Sequence, residues 1–194
     1  MSEKNPFFDL PVMQGENLIL RPLGQEDSEA LYQAASDPLI WEQHPDPERY
    51  KREQFEKNFL SGALASGSSL LVIDKITARI VGCSRYYEWD PQRSEVAIGF
   101  TFLARSHWGG GSNRELKMLM LDYAFQWAGK VWFHIGKDNW RSRRGTEKVG
   151  AVFSHETQKE VNGQLHDYAY YYIARTDHVG ATRVGVDRIG DNKG

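Results

Sequence analysis

The chain has 194 residues, with 40% hydrophobic and 26% charged side chains and a formal net charge of -2, which suits one soluble globular domain with a sizeable core. The near-neutral charge gives no general basic field, so we expect no nucleic-acid partner. The single cysteine excludes an internal disulfide, and the N-terminal residues lack a long apolar run, so we expect a cytoplasmic protein with no membrane partner.

The chain divides into an N-terminal arm, one domain and a C-terminal tail. Residues 1–15 are polar and contain two prolines, which is typical of an arm. The apolar residues that could anchor this arm are Phe7, Phe8 and Leu10. The domain is expected over residues 16–176. Residues 177–194 are rich in Gly, Asp and Arg without periodicity, which predicts a flexible tail.

Hydrophobic periodicity predicts strands and helices that alternate along the domain. Asp46-Pro47 marks a helix start, and Asn162-Gly163 marks a hairpin turn. The predicted strands are 17–23, 69–73, 78–89, 94–103, 131–135, one that begins at 151–154, and 168–174. The predicted helices are 27–36, one from residue 47 to about 62, one that follows the glycines at 109–111 and ends at Gly129, and 139–149.

The order of these elements predicts the fold class. Hairpins and strand–helix–strand crossovers occur together, so we expect an α+β protein of three layers, with a mixed, mostly antiparallel twisted sheet and helices on both faces. In the strand 94–103 successive residues should alternate between the faces. One face is expected to carry Val96, Ile98, Phe100 and Phe102. The other face is expected to carry Glu95, Ala97, Gly99 and Thr101.

Three consecutive glycines, Gly109 to Gly111, join the end of this strand to the start of a helix. Glycines at such a junction let backbone N–H groups converge on one point, and the helix N-terminus adds positive partial charge there. The combination suits a phosphate or pyrophosphate. A plain flexible turn is the alternative reading of a glycine run, so the loop needs support from the residues on either side.

Four motifs in chain order supply that support. They are NLILRPL at 17–23, AIGFTF at 97–102, Trp108-Gly109-Gly110-Gly111 followed by Glu115, and Asn139-Trp140-Arg141-Ser142 followed by Glu147-Lys148-Val149-Gly150-Ala151. Over about residues 16–175 the chain resembles the GCN5-related N-acetyltransferases (GNAT), and within them the group similar to the ribosomal-protein N-terminal acetyltransferases. This resemblance implies the acyl-CoA N-acyltransferase fold.

The resemblance also implies an activity. Members of the family transfer acetyl from acetyl-CoA to a primary amine, on a protein N-terminus or a small molecule, by direct attack in a ternary complex. Acetyl-CoA is then the co-substrate and an amine is the acceptor, with a homodimer as an open alternative to a monomer. No metal is implied, and His107 and His134 have no partners at metal-ligand spacing.

A set of cofactor-binding residues follows from the same resemblance. The strand before the loop would align the pantetheine through its backbone, the loop would hold the pyrophosphate, and the Asn139 motif would line the opposite side. The set is Phe100, Thr101, Phe102, Trp108, Gly109, Gly110, Gly111, Ser112, Asn113, Arg114, Asn139, Ser142 and Arg143. Helix capping is the alternative role for Asn139 and Ser142, and a solvated helix surface is the alternative for the arginines.

Glu95 and Ser142 are the candidate catalytic residues. Glu95 projects from the same face as Ala97, where the group often carries a carboxylate, and would act as a general base through a water molecule. A solvated carboxylate near a strand end is the alternative. Ser142 would hydrogen-bond to the sulfur of CoA or relay its proton. Family members build the acceptor pocket at the positions of Trp41, His44 and Tyr86. The last strand flanks the acceptor groove, so one of its tyrosines could donate to the thiolate, although core packing is the role expected for most of them; they are Tyr168, Tyr170, Tyr171 and Tyr172.

Three residues depart from the family's pattern. Asn113 stands where the loop has Gly or Ala, Ala97 stands where the carboxylate is common, and Thr146 stands where many members have a tyrosine that protonates the leaving thiolate. A branch of the family with a similar Trp-Gly-Gly-x-x-Asn-x-Glu-x-Lys pattern would account for Asn113 and Lys117. The departures leave open a non-catalytic acyl-CoA-binding module. A nucleotide-binding domain is a third reading, but the loop lacks the Lys-Ser/Thr ending of a P-loop.

Overall fold

The computed structural model describes residues 5–178 and residue 180. Within these residues the strands are β1 (Met13–Gln14), β2 (Leu18–Pro22), β3 (Ser69–Asp74), β4 (Ile80–Asp90), β5 (Glu95–Leu103), β6 (Lys130–Gly136), β7 (Val152–Val161) and β8 (Gln164–Ala174). The α-helices are α1 (Ser28–Ala35), α2 (Arg52–Phe55), α3 (Ser61–Ala65), α4 (Ser112–Ala124) and α5 (Trp140–Glu147). Short 3-10 turns lie at Gln25–Asp27, Pro38–Ile40, Pro47–Tyr50, Arg105–His107 and Arg175–Asp177.

The strands form one mixed sheet in the order β1-β2-β3-β4-β5-β6-β8-β7. Strands β5 and β6 pair in parallel, and the other neighbouring pairs are antiparallel. The parallel pair arises because α4 carries the chain back across the sheet between β5 and β6, as a crossover between parallel strands requires. The mixed, mostly antiparallel sheet expected from the sequence is confirmed.

Helices cover both faces of the sheet, also as expected. Alternation along β3 shows how: Leu70 and Val72 belong to the hydrophobic cluster that contains α4, whereas Leu71 belongs to the cluster that contains α1 and α3. All three side chains are fully buried. Two hydrophobic cores therefore lie on opposite sides of β3, which makes the domain a three-layer structure.

The strict alternation predicted for β5 is wrong beyond Gly99. The pairing register with β4 shifts between Cys83 and Arg85, so that β5 has one extra residue there, and Phe100 has a φ of 51°. This bulge moves Phe102 into the α1-side core and Leu103 into the α4-side core, while Phe100 is 41% exposed. A bulge re-aims the side chains that follow it, and period-2 reasoning does not anticipate it.

The helix predicted from residue 47 to about 62 is broken and ends later. Pro47–Tyr50 forms a 3-10 turn, and Lys51 then has an extended backbone with ψ of 134°. The helix resumes at Arg52, passes through a π-helical turn at Glu56–Leu60, and ends at Ala65. Burial of Phe59 and Ala63 explains why the helix continues past Gly62, since tertiary packing overrides the low helix propensity of glycine.

Strands β7 and β8 are longer than the sequence predicted. They form a hairpin around Asn162 and Gly163, whose positive φ values of 51° and 78° fit the expected turn. Most of β7 is exposed, so its residues carry no apolar alternation that would have revealed a strand. The hairpin projects beyond the core and places polar residues next to the site described below.

The N-terminal arm packs onto the domain through two of its three predicted anchors. Phe7 and Leu10 are buried in the α4-side core, whereas Phe8 is 48% exposed. The ring of Phe7 contacts Tyr86 at a centroid distance of 4.7 Å. The predicted tail, 177–194, lies outside the described residues apart from residues 177, 178 and 180.

Candidate active site

The glycine loop leaves an open surface in front of the N-terminus of α4. Gly109 and Gly111 have φ values of 77° and 91°, which glycine adopts at no steric cost. A Cβ added at any of the three glycines would meet nothing within 4 Å among the described residues. Gly111 is the N-cap of α4, and the N–H groups of the first helical turn have no acceptor within the helix. The loop can therefore offer several backbone donors to an anion.

Strands β5 and β6 separate next to this loop. Their parallel pairing covers three residue pairs and ends at Ala97 with Trp132. Beyond that pair the bulge at Phe100 turns β5 away, so the two strands diverge toward the loop. The result is a V-shaped gap in the sheet, with its apex at Ala97 and its mouth at the glycine loop. Backbone groups of β5 in this gap are free of partners on β6.

A cavity of about 760 Å³ lies against the last residues of β5 and brings together most of the predicted cofactor-binding residues. Those that line it are Thr101, Phe102, Trp108, Gly109, Gly111, Asn113, Arg114, Asn139 and Ser142. The ones outside its lining are Phe100, Gly110, Ser112 and Arg143. The volume lies within the range of pockets that enclose a drug-sized or cofactor-sized ligand.

Helix α5 forms the wall opposite the loop. The Oδ1 of Asn139 accepts a hydrogen bond from the backbone N–H of Ser142 at 3.1 Å, so Asn139 is the N-cap of this helix. The side chain of Ser142 lines the cavity. The capping alternative thus holds for Asn139, and capping in turn fixes the first turn of α5 that presents Ser142 to the cavity.

The two arginines of the predicted set have partners within the protein. Arg143 donates to the hydroxyl of Tyr171 at 2.9 Å and to the carbonyl of Lys137 at 2.8 Å. Arg114 donates to the carbonyl of Lys148 at 3.1 Å, which ties the start of α4 to the end of α5. These contacts give both residues structural roles, and their contact with a cofactor stays a prediction.

Arg141 closes one side of the cavity. Its guanidinium lies 3.9 Å from the ring centroid of Trp108 and forms an ion pair with Glu42 at 2.9 Å. Its backbone N–H donates to the side chain of Gln43 at 3.1 Å. Arg141 therefore connects α5 both to the loop and to the segment that follows α1.

That segment supplies two of the expected acceptor-side residues. Trp41 and His44 line the cavity. Burial, together with the positive charge of Arg49, lowers the pKa of His44 to about 3. The Nδ1 of His44 accepts a hydrogen bond from the backbone N–H of Asp46 at 2.9 Å, which fits a neutral imidazole. Tyr86, in contrast, is buried in the α4-side core and donates to the carbonyl of Met120 at 2.7 Å.

Glu95 lies in a second cavity, of about 650 Å³, on the sheet surface that α1 to α3 leave uncovered. Its carboxylate accepts hydrogen bonds from Lys130 and from the indole N–H of Trp132, both at 2.9 Å. Partial burial raises the pKa of Glu95, but these hydrogen bonds and the charge of Lys130 outweigh it, so the pKa lies below its usual value. Glu95 is thus ionised near neutral pH, and its role as a base stays a prediction.

The last strand presents its tyrosines on both faces. Tyr170 stacks on His134 at a centroid distance of 3.9 Å and lines the second cavity. Tyr171 is buried and donates to Glu147 at 3.0 Å. Burial lowers the pKa of His134 to about 3, with the charge of Lys159 as a further cause. These tyrosines pack and hydrogen-bond within the protein, which is the role expected for most of them.

Two buried polar residues stand out beside the cavity. Lys117 is 4% exposed, lines the cavity, and has a pKa that burial lowers to about 8. Thr146 is fully buried, and its hydroxyl has no hydrogen-bond partner among the described residues. In the sequence, Lys117 is linked to a function by the family resemblance alone. Its spacing of four residues from Asn113, which places both on one helix face, was the signal available.

Within the described residues, no group of three or more His, Cys, Asp or Glu side chains is placed to hold a metal ion. The same part of the chain has no helix that is both long and apolar enough to cross a membrane.

Comparisons with known proteins bear on the family and the fold of the chain. The sequence model of the acetyltransferase (GNAT) domain matches residues 17–152. No curated protein matches the sequence significantly.

Solved structures of GNAT proteins share the fold. A GCN5-related N-acetyltransferase from Brucella melitensis has a TM-score of 0.74 and 22% identity, over 86% of this chain and 80% of that chain. A GNAT-family acetyltransferase from Bacillus anthracis has a TM-score of 0.70 and 20% identity, over 86% of this chain and 99% of that chain. The spermidine N-acetyltransferase of Vibrio cholerae, in complex with CoA and spermine, has a TM-score of 0.63 and 21% identity, over 84% of this chain and 98% of that chain. With its family domain matched over most of its length and its sheet shared with these structures, the chain belongs to the GNAT acetyltransferase family.

Proposed function

We propose that this protein transfers the acetyl group of acetyl-CoA to a primary amine by direct attack in a ternary complex. We also propose that it is closest in kind to the ribosomal-protein N-terminal acetyltransferase group, on the four motifs given above. The observation that carries the proposal is the cavity that extends from the glycine loop toward the point where β5 and β6 separate. It has backbone donors suited to an anion at one end and, along its side, the part of β5 that has no partner on β6.

The residues around the cavity fit acetyl-CoA in three respects. The open loop at Gly109 to Gly111 suits a diphosphate, because backbone donors and the positive end of α4 converge there. The free backbone of β5 next to the gap suits the amide groups of pantetheine, which can pair with a strand edge. The first turn of α5 presents Ser142 from the opposite wall. Acetyl-CoA supplies the activated acyl group, and the protein orients it.

The reaction also needs the acceptor nitrogen to lose a proton. We propose Glu95 for this role, acting through water in the second cavity, because its carboxylate is ionised and Ala97 beside it leaves room. Ser142 would donate to the sulfur end of CoA or relay a proton to it. Trp41 and His44 line the first cavity, on the segment that Arg141 joins to α5, so we place the acceptor next to them.

Two measurements test this function. Acetyl-CoA should raise the melting temperature of the protein, and free thiol should appear when an acceptor is added. The acceptor panel should contain N-terminal peptides, small amines and spermidine, since the Vibrio cholerae neighbour is a spermidine N-acetyltransferase. A Gly111→Trp variant should lose the thermal shift, because a large side chain at φ of 91° fills the anion seat. No shift with the wild-type protein would refute the proposal, and a retained shift in the variant would refute the placement of the diphosphate.

A second function has specific support. Ala97 and Thr146 replace the carboxylate and the tyrosine that the family commonly uses, which favours a module that binds acyl-CoA without catalysis. This alternative predicts the same thermal shift with acetyl-CoA but no thiol release with any acceptor in the panel.

A further inference from the structure

Lys117 is a buried cation without a counter-charge. It lies on α4, is 4% exposed, and forms no ion pair or hydrogen bond with the described residues. Its ammonium lies 5.1 Å from the ring centroid of Phe133, and this ring is its one described electrostatic contact. Lysine is rarely buried unless it is paired, because removing an ammonium from water is costly. A lysine in this state suits a ligand that brings a negatively charged or hydrogen-bond-accepting atom into the cavity.

The ammonium of Lys117 faces the deep end of the cavity. The side chain lines the cavity, and Phe133 follows directly after Trp132, the last β6 residue that pairs with β5. Lys117 is five residues beyond Ser112, or about 8 Å along the helix axis from the first turn of α4. Its contact with Phe133 places the ammonium beside the end of the pairing between β5 and β6, one residue past the apex of the gap.

The position selects the part of the ligand that Lys117 would meet. If the diphosphate of acyl-CoA occupies the loop, its pantetheine extends toward the apex and its thioester ends there. We propose that the ammonium of Lys117 contacts the sulfur of CoA, stabilises the thiolate as it leaves, and donates a proton to it. This inference rests on the proposed acetyltransferase function and adds the group that completes its chemistry.

The proposed step is balanced. The neutral acceptor nitrogen attacks the carbonyl carbon, a C–N bond forms, and the C–S bond breaks. The sulfur keeps the electron pair of that bond and takes a proton from Nζ of Lys117. The acetylated nitrogen loses its extra proton through water to Glu95, which passes it to solvent, and the lysine regains one from solvent. No oxidant, reductant or metal is required.

Two further observations favour this role. Thr146 occupies the position at which the resemblance expects a tyrosine acid, and its hydroxyl is buried without a described partner, which leaves the role of proton donor to the cavity residues Ser142 and Lys117. Burial lowers the pKa of Lys117 to about 8. A thiol has a pKa of about 8.5, and proton transfer is efficient when the two groups are closely matched.

The experiment compares the affinities of CoA and desulfo-CoA, by calorimetry, for the wild-type protein and for Lys117→Met. Methionine keeps the length of the side chain and removes its charge. The wild-type protein should bind CoA about tenfold more tightly than desulfo-CoA, since a charge-assisted hydrogen bond to sulfur is lost, and Lys117→Met should bind both equally. Lys57→Met is the matched control: Lys57 is exposed, lies outside the cavity lining, and its variant should behave as the wild-type protein does.

The other outcomes are equally informative. If Lys117→Met weakens both ligands to the same extent, Lys117 contacts the phosphates or supports the fold, and the proposal is wrong. A wild-type protein that does not distinguish CoA from desulfo-CoA would overturn it without any variant. Bound CoA should also show thiolate absorbance at a lower pH than free CoA. If neither ligand binds at all, the proposed function itself fails, which separates the two proposals.

Discussion

At the scale of single residues, Lys117 also affects the stability of the ligand-free protein. Its pKa is about 8 in the folded protein and 10.5 as an ordinary lysine. Because the folded pKa is the lower of the two, the buried charge destabilises the fold below pH 8, and this cost fades as the pH rises from 8 to 10.5. The difference between these values corresponds to about 3 kcal/mol at neutral pH.

We therefore expect Lys117→Met to raise the free energy of unfolding at pH 7 by up to about 3 kcal/mol. The advantage over the wild-type protein should shrink between pH 8 and pH 10, and denaturant unfolding at several pH values would measure it. Lys57→Met, at an exposed position, should show no such pH dependence. A Lys117→Met protein that is less stable at pH 7, by an amount independent of pH, would contradict the expectation.

The structural role of Asn139 was predictable from the sequence, whereas the surroundings of Lys117 and Glu95 were not. The capping role of Asn139 was one of two readings of Asn-x-x-Ser, and the structure supports capping. The burial of Lys117 was not predictable, because lysines on amphipathic helices are normally solvated and only the position of α4 over β6 removes this one from water. The ion pair of Glu95 with Lys130 likewise depends on the pairing of two strands that are distant in sequence.

At the scale of elements, α5 approaches α4 closely at Gly145, where the absence of a side chain makes room for Asn113. A Cβ added to Gly145 would lie 2.5 Å from the amide nitrogen of Asn113. The absence of a side chain on α5 thus leaves room for the larger residue that replaces Gly or Ala in the loop pattern. This close approach and the hydrogen bond from Arg114 to Lys148 bring the two cavity walls into contact.

A Gly145→Ala variant should disturb that contact without unfolding the protein. Alanine favours a helix over glycine by about 1 kcal/mol, so stability should be kept, while kcat/KM should fall about 10- to 100-fold as the walls shift. Enzyme assays and thermal unfolding measure the two effects. Gly62→Ala is the control, because the Cβ there would lie 3.5 Å from Arg85, an ordinary contact.

Adding Asn113→Ala to Gly145→Ala should restore part of the activity, because the smaller side chain relieves the clash. Unchanged activity in Gly145→Ala alone would mean that the Asn113 amide moves aside freely and does not set the width of the cavity.

Elements were predictable where periodicity was regular. The strand β3 follows from a short apolar run that is buried on both faces, and the amphipathic helix α4 follows from apolar residues at helical spacing. The bulge at Phe100 and the break at Lys51 did not follow, because both depend on contacts between distant segments. The length of β7 was hidden by exposure on both of its faces, which leaves no hydrophobic signal.

At the scale of the whole molecule, the fold class and the first cavity followed from the order of the motifs, because a β5-loop-α4 crossover fixes where a parallel pair and a helix N-terminus meet. The second cavity did not follow. It forms because the helical layer of α1 to α3 covers one part of the sheet and leaves the surface around Trp132 and His134 open. The area of the sheet that the helices cover depends on packing between distant segments, so it cannot be predicted from any one segment of the sequence.

The short pairing between β5 and β6 has a mechanical consequence. The sheet consists of two half-sheets, β1 to β5 and β6 to β8. They are joined by the three residue pairs between β5 and β6. A ligand that fills the gap and pairs its amide groups with β5 and β6 would add hydrogen bonds between the two half-sheets. The half-sheets would then open and close together. At a ligand concentration 100 times its Kd, we expect amide hydrogen exchange to slow about 100-fold in both β5 and β6. If hydrogen exchange slows only in the glycine loop and α4, the two half-sheets open independently and the ligand is bound to one side of the gap alone.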